Sequence, residues 1–120
     1  MKSGELEVIV TGYYPDDSEM EGGYEDCFGN PLKTLYSYDR NSSNNYVSLA
    51  VDKNVIALKC LINIEGFYDR DGVPILFYAC DVGDRIIGNH VDICCGSEQQ
   101  TYDIDSNGET RRLKILAFQK

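Results

Sequence analysis

Ala79-Cys80-Asp81-Val82-Gly83-Asp84-Arg85-Ile86-Ile87-Gly88-Asn89-His90-Val91-Asp92-Ile93 is the stretch that decides how this chain is read. An apolar run ends in Asp81, and beyond it stand Gly83 and Gly88, each able to turn the backbone at positive φ. A second apolar run then carries an aspartate inside it. In a regular strand, His90, Asp92 and Cys94 share one face, and Val91, Ile93 and Cys95 the other. Strands disfavour aspartate, and a buried carboxylate is costly unless it is paired or protonated. Asp92 admits two compatible readings. It accepts backbone N–H bonds from the Gly83 to Asn89 turn, or it is partly desolvated near a second carboxylate, Asp81 or Asp52. The second arrangement raises its pKa and makes it a general acid.

Outward from this stretch the chain reads as all-β. Leu6 to Tyr14, Tyr46 to Val51, Lys59 to Ile64, Ile75 to Ala79, His90 to Cys94 and Leu113 to Phe118 are rich in β-branched and aromatic residues. Asp69-Arg70-Asp71-Gly72, Gly83-Asp84, Gly88-Asn89 and Ser106-Asn107-Gly108 punctuate them. One short helix fits around Ser97 to Tyr102, with Ser97 as its N-cap. The pattern predicts a small closed barrel or a sandwich, one domain over residues 1–120. There is an internal echo: Val47 to Asp52 and Ile75 to Asp81 are each a strand running into Asp, then a turn, then another strand. Pro15 to Asn30 and Asp39 to Asn45 read as loops. The first is acidic, with Asp16, Asp17, Glu19, Glu21, Glu25 and Asp26 and no Lys or Arg, and reads as a solvated face.

Charge narrows the partners. The 11 Lys and Arg against 20 Asp and Glu give a net charge of −9. No basic cluster exists to displace counterions from phosphates, so nucleic acid is not an expected partner, and neither is an anionic membrane. No apolar run reaches membrane-span length. The five cysteines, Cys27, Cys60, Cys80, Cys94 and Cys95, cannot all pair within one chain, and they include no C-x-x-C. With His90 the only histidine, neither a zinc site nor another metal or cofactor is expected. Mostly reduced thiols with one disulfide fit the composition, without deciding a pairing.

The run Ala50-Val51-Asp52, then Cys80-Asp81-Val82-Gly83 with Ile86-Ile87-Gly88-Asn89, then Val91-Asp92-Ile93, resembles the 3D domain, named for three aspartates. Val10-Thr11-Gly12-Tyr13 resembles that family's opening strand, and Gly29-Asn30-Pro31-Leu32 its G-x-P-L turn. The resemblance covers about Val8 to Ile93. It implies a six-stranded double-psi β-barrel in which the two echoing units are the interlocked psi motifs. It also implies kinship with MltA-type and stationary-phase-survival muralytic proteins, lytic transglycosylases that cut peptidoglycan glycan strands. Carried over, Asp92 matches the catalytic acid, Asp81 its supporting carboxylate and Asp52 the third aspartate. Such a mechanism needs one aspartate to protonate the glycosidic oxygen and then deprotonate the attacking muramic acid C6 hydroxyl. It differs from the paired acids of ordinary glycosidases.

Tyr13, Tyr14 and Tyr78 are candidates for stacking on sugar rings, and Arg85 and Asn89 for binding substrate beside the acids. The chain departs from the family pattern at Asp84, where a second glycine is usual, with Arg85 next to it and Lys53 in place of a proline. The rival function is a non-catalytic glycan-binding or assembly module of a cell wall or phage particle, acting as a monomer or homodimer. Action on peptidoglycan implies an extracellular or cell-wall location. Met1-Lys2-Ser3-Gly4 begins no leader, so delivery by a removed signal, a parent polypeptide or a phage particle is expected. Two sharper alternatives rank lower. His90, Asp92 and Cys94 project in parallel and cannot converge as a nucleophile triad. Asp103 to Glu109 matches half a calcium loop but places Lys114 where the bidentate glutamate belongs, so a hairpin with Asn107-Gly108 at its tip is expected.

Overall fold

A computed structural model describes residues 4–15, 25–105 and 110–118. Its strands are β1 (Glu5–Tyr13), β2 (Val47–Ala50), β3 (Cys60–Ile64), β4 (Phe77–Asp81), β5 (His90–Cys94) and β6 (Thr110–Phe118). They close into a barrel in the order β1-β5-β2-β4-β3-β6. The all-β expectation and all six strands hold. β4 starts later than expected, at Phe77, and runs through Asp81, while β6 begins earlier, at Thr110. The β1–β5 and β2–β4 pairs are parallel and the others antiparallel. This closed six-stranded arrangement fits the double-psi expectation.

Alternation along the strands sorts the side chains. Val8, Val10, Val47, Leu49, Ile62, Phe77, Ala79, Val91, Ile93 and Leu113 are buried in the barrel core. Cys95 joins this cluster and Cys94 does not, as the two-face reading of β5 requires. Phe67 closes over Phe77 edge to face, ring centroids 5.8 Å apart. All five cysteines are free thiols, in line with the mostly reduced reading and without the one disulfide the composition left open; four are buried, serving as small apolar side chains.

The helix α1 spans Glu98–Asp105. Ser97 Oγ accepts the Gln100 N–H at 3.2 Å, the N-cap bond expected of it. The helix continues three residues beyond Tyr102 and takes in Asp103, so the half calcium loop starts on a helix. Its remainder, with the Asn107-Gly108 tip, lies outside the described residues. α1 packs over β1 because Gly12 leaves room for it. A Cβ there would stand 2.9 Å from Cys95 Sγ and 3.2 Å from Thr101 Cα. Among the described residues, no helix is long and apolar enough to cross a membrane.

Candidate active site

The register of four strands sets one row of side chains across the barrel's outer surface. Thr11 on β1 pairs with Asp92 on β5, Asp92 with Ala50 on β2, and Ala50 with Asp81 on β4. Directly paired residues share a face, so the two carboxylates flank the single methyl of Ala50. Strict alternation would not put Asp81 there. Phe77 and Ala79 point into the core, so Asp81 should follow them inward. The β2–β4 register shifts between Leu49 and Ala50, skipping Cys80 and pairing Ala50 with Asp81. A bulge of this kind re-aims a side chain, and here it brings Asp81 round to the face of Asp92.

Asp92 is half-buried, and Thr11 Oγ1 donates to its Oδ1 at 2.9 Å. His90 Nε2 lies 2.8 Å from the same Thr11 oxygen. When Thr11 gives its one proton to Asp92, that contact requires Nε2–H as donor. The chain His90–Thr11–Asp92 therefore orients the acid from one side. Thr11 is visible in the sequence only as part of an opening strand; the signal for its role is a hydroxyl in register with a strand aspartate.

Tyr13, two residues after Thr11 on β1, reaches toward Asp81. Its hydroxyl donates a long bond, 3.4 Å, to Asp81 Oδ2. Burial, followed by the charges of neighbours including Asp81 and Asp92, raises its pKa well above the ordinary value, so it stays a donor. Asp81 is half-buried. Burial raises its pKa first, and the charge of Asp26 adds to that, against opposing bonds from the Val82 N–H and Tyr13. Burial pushes the Cys94 thiol up to about 12, and so keeps it protonated and poor as a nucleophile.

Asp26 belongs to this site, which corrects its reading as one of a set of solvated acids. It is only 6% exposed. Its Oδ1 accepts the N–H groups of Phe28 and Asn30 at 2.8 and 3.0 Å. Its Oδ2 is buried with no hydrogen-bond partner among the described residues. The Cys27 N–H donates to the Cys80 carbonyl at 3.1 Å, which fastens this turn beside Asp81. The D-x-x-G-N pattern of residues 26–30 carries the signal, an aspartate capping its own turn. Glu25 is exposed, and residues 16–24 lie outside the described residues.

Asp52 has a different task. Its Oδ2 accepts the Gly88 N–H at 2.8 Å and its Oδ1 the Asn54 N–H at 2.9 Å. These backbone donors lower its pKa, the Gly88 bond most. The turn's Gly88 N–H, expected on Asp92, thus goes to Asp52. Gly88 does turn at positive φ (+73°), but Gly83 does not; its carbonyl accepts the Ile86 N–H in an ordinary turn. Asn89 Nδ2 donates to the Glu7 carbonyl at 3.1 Å, tying the loop to β1. Arg85 and Asp84 are exposed, and among the described residues the ion pairs are those of Arg40 with Asp69 and Asp71. Tyr14 is 41% exposed at the end of β1, and Tyr78 lines a separate cleft on the outer face of β4. No cluster of three metal-ligating side chains occurs among the described residues.

The model of the 3D domain family matches residues 47–116. No curated protein matches the chain. Among solved structures, the apo form of an Asp-to-Ala variant of the Escherichia coli lytic transglycosylase MltA is similar. It has TM-score 0.54 and 20% identity, covering 80% of this chain and 28% of that one. The lytic transglycosylase LtgG of Burkholderia pseudomallei gives TM-score 0.43 at 18% identity, covering 75% of this chain and 24% of that one. The chain thus spans less than a third of the solved relatives it matches.

Proposed function

Because the chain belongs to the 3D domain family, we propose that it is a peptidoglycan lytic transglycosylase with Asp92 as its catalytic acid and base. The observation that carries this reading is the row Thr11–Asp92–Ala50–Asp81, an oriented acid with a second carboxyl across one methyl. The similarity to MltA supports the barrel as a fold on which such chemistry is found.

Protonated Asp92 gives its proton to the glycosidic oxygen as the C1–O bond of N-acetylmuramic acid breaks. The resulting carboxylate takes the proton of the C6 hydroxyl as that oxygen bonds to C1. The products are a 1,6-anhydro end and a free hydroxyl on the leaving sugar, and Asp92 regains its proton. Thr11 orients the carboxyl throughout. Asp81 holds charge or proton beside the developing positive centre, with Tyr13 as its donor. Asp52 shapes the Gly88 loop and does no proton transfer. Tyr14, Arg85 and Asn89 serve as substrate contacts in this reading, and the location of the reaction is the cell wall.

A second reading, a glycan-binding module, is favoured by Asp84 and Arg85, exposed charged residues in the loop after Asp81 where the family pattern carries a second glycine. Mass spectrometry of purified peptidoglycan after incubation with wild type and Asp92→Asn separates the two. The enzyme yields 1,6-anhydromuramic products that vanish in the variant. A binding module yields none with either protein, both folded, and retains glycan affinity in the variant.

A further inference from the structure

A cleft of about 710 Å³ opens on the outer face of β4, walled by Tyr38, Tyr46, Tyr78, Asn30, Asn45 and Arg40. Tyr46 and Tyr78 meet edge to face at 5.1 Å and an interplanar angle of 66°. The Lys33 ammonium caps the Tyr46 ring at 5.3 Å and donates to the Ser43 carbonyl. Tyr38 is fixed too, its hydroxyl accepting the Leu76 N–H. Rings held in place lose little freedom when a ligand stacks on them. Tyrosine faces with side-chain amides between them suit the C–H faces, hydroxyls and acetamido groups of an amino sugar.

Charge chooses among the parts of peptidoglycan. The lining cation of the cleft, Arg40, is already paired with Asp69 at 3.2 Å and Asp71 at 3.3 Å. Buried Asp26 adds negative field from behind and contributes to raising both the Tyr46 and Tyr78 hydroxyl pKa values, after burial. An anionic stem peptide therefore finds Arg40 already neutralised and the Lys33 ammonium turned to the Tyr46 ring and the Ser43 carbonyl; a neutral sugar needs no cation. Position chooses the distance. Tyr78 precedes Asp81 by three residues on β4, roughly 10 Å along a strand, the span of a disaccharide.

We propose that the Tyr46–Tyr78 cleft is a saccharide subsite that holds a neutral N-acetylated sugar about one disaccharide from Asp81, on the same glycan strand whose bond is cut beside Asp92. The identity of the strand rests on the lytic reading, but binding can be measured without turnover. The experiment is an NMR titration of full-length Asp92→Asn protein with chitotetraose, a neutral N-acetylglucosamine oligomer, and separately with a free stem peptide. Chitotetraose should shift Tyr46, Tyr78, Asn30 and Asn45, and the peptide should not. Tyr78→Ala should weaken binding by about tenfold, and Tyr78→Phe, which keeps the ring, by no more than about twofold. Asn45→Ala, on an exposed loop, should weaken it by about threefold and guards against a misfolded Tyr78→Ala. Shifts confined to Thr11, Asp81 and Asp92, shifts in the cleft caused by the peptide instead, or no shift at all would each overturn the subsite. The anhydro-product assay on wild type tests the lytic reading separately.

Discussion

The chain makes the same local move twice, at Ala50-Val51-Asp52 and at Ala79-Cys80-Asp81, yet its two aspartates end in opposite states. Asp52 receives two backbone N–H groups, and its pKa falls. Asp81 receives burial and an acidic neighbour, and its pKa rises. The motif supplies a carboxyl at a strand end; the surroundings decide whether it clamps a loop or holds a proton. In the proposed reaction Asp92, on the strand that comes after Asp81, belongs to the chemical side of this division, and Asp52 to the structural side.

Neutralising a carboxyl on each side puts the division to its hardest test. Asp92→Asn should lower anhydromuramic product release by ~10³-fold or more with an unchanged Tm, since Thr11 still finds an amide oxygen. Asp52→Asn should do the reverse, lowering Tm and freeing the Gly88 amide to exchange while leaving the chemistry of Asp92 intact. Equal activity losses with equal Tm losses would erase the distinction. Next in size is Asp81→Asn, expected to cost on the order of tenfold in kcat. Because burial opposes its charge, the same change should raise stability at neutral pH, by no more than about 1 kcal/mol once solvent screening of the half-exposed group is counted.

Acid titration draws the two carboxyls further apart. Asp52 has a folded pKa below its unfolded value. Its stabilisation is therefore present above the ordinary carboxylate pKa of about 3.9 and lost as pH falls through the lower folded value. Asp81 has a raised folded pKa, so its favourable term is full below about 3.9 and lost as pH rises through the folded value. Denaturation midpoints against pH should therefore flatten at the acid end in Asp52→Asn and lose a decline above it in Asp81→Asn. The smallest effect belongs to Tyr13→Phe. Removing one long bond should change kcat about two- to fivefold and move the Asp81-dependent limb of the pH–rate profile to higher pH.

Legibility in the sequence obeys the same division. Strand periodicity is a local property, so all six strands, the two faces of β5 and the Ser97 cap could be read directly. The three family aspartates could be found and the resemblance ranked them, but their own residue contexts do not separate Asp52 from Asp81 until a partner 36 residues away, Gly88, is seen to serve one of them. Asp26 was hidden by its company, one acid among six in a loop, with burial supplied by β4. The bulge that turns Asp81 outward leaves no mark in composition; it exists only in the pairing of β2 with β4. Thr11 matters through its register with Asp92, 81 residues away.

Barrel closure has a kinetic consequence. β6 lies between β1 and β3, so the last of the barrel's six strands seals a cylinder begun by the first. Until β6 emerges from the ribosome, β1 and β3 each expose an unpaired edge, the kind of edge that recruits other chains. Pairings between strands so distant in sequence also form slowly. Assembly of the row around Asp92 therefore waits on synthesis of the whole barrel, and fragments ending after α1 should aggregate during expression while the full chain stays in solution.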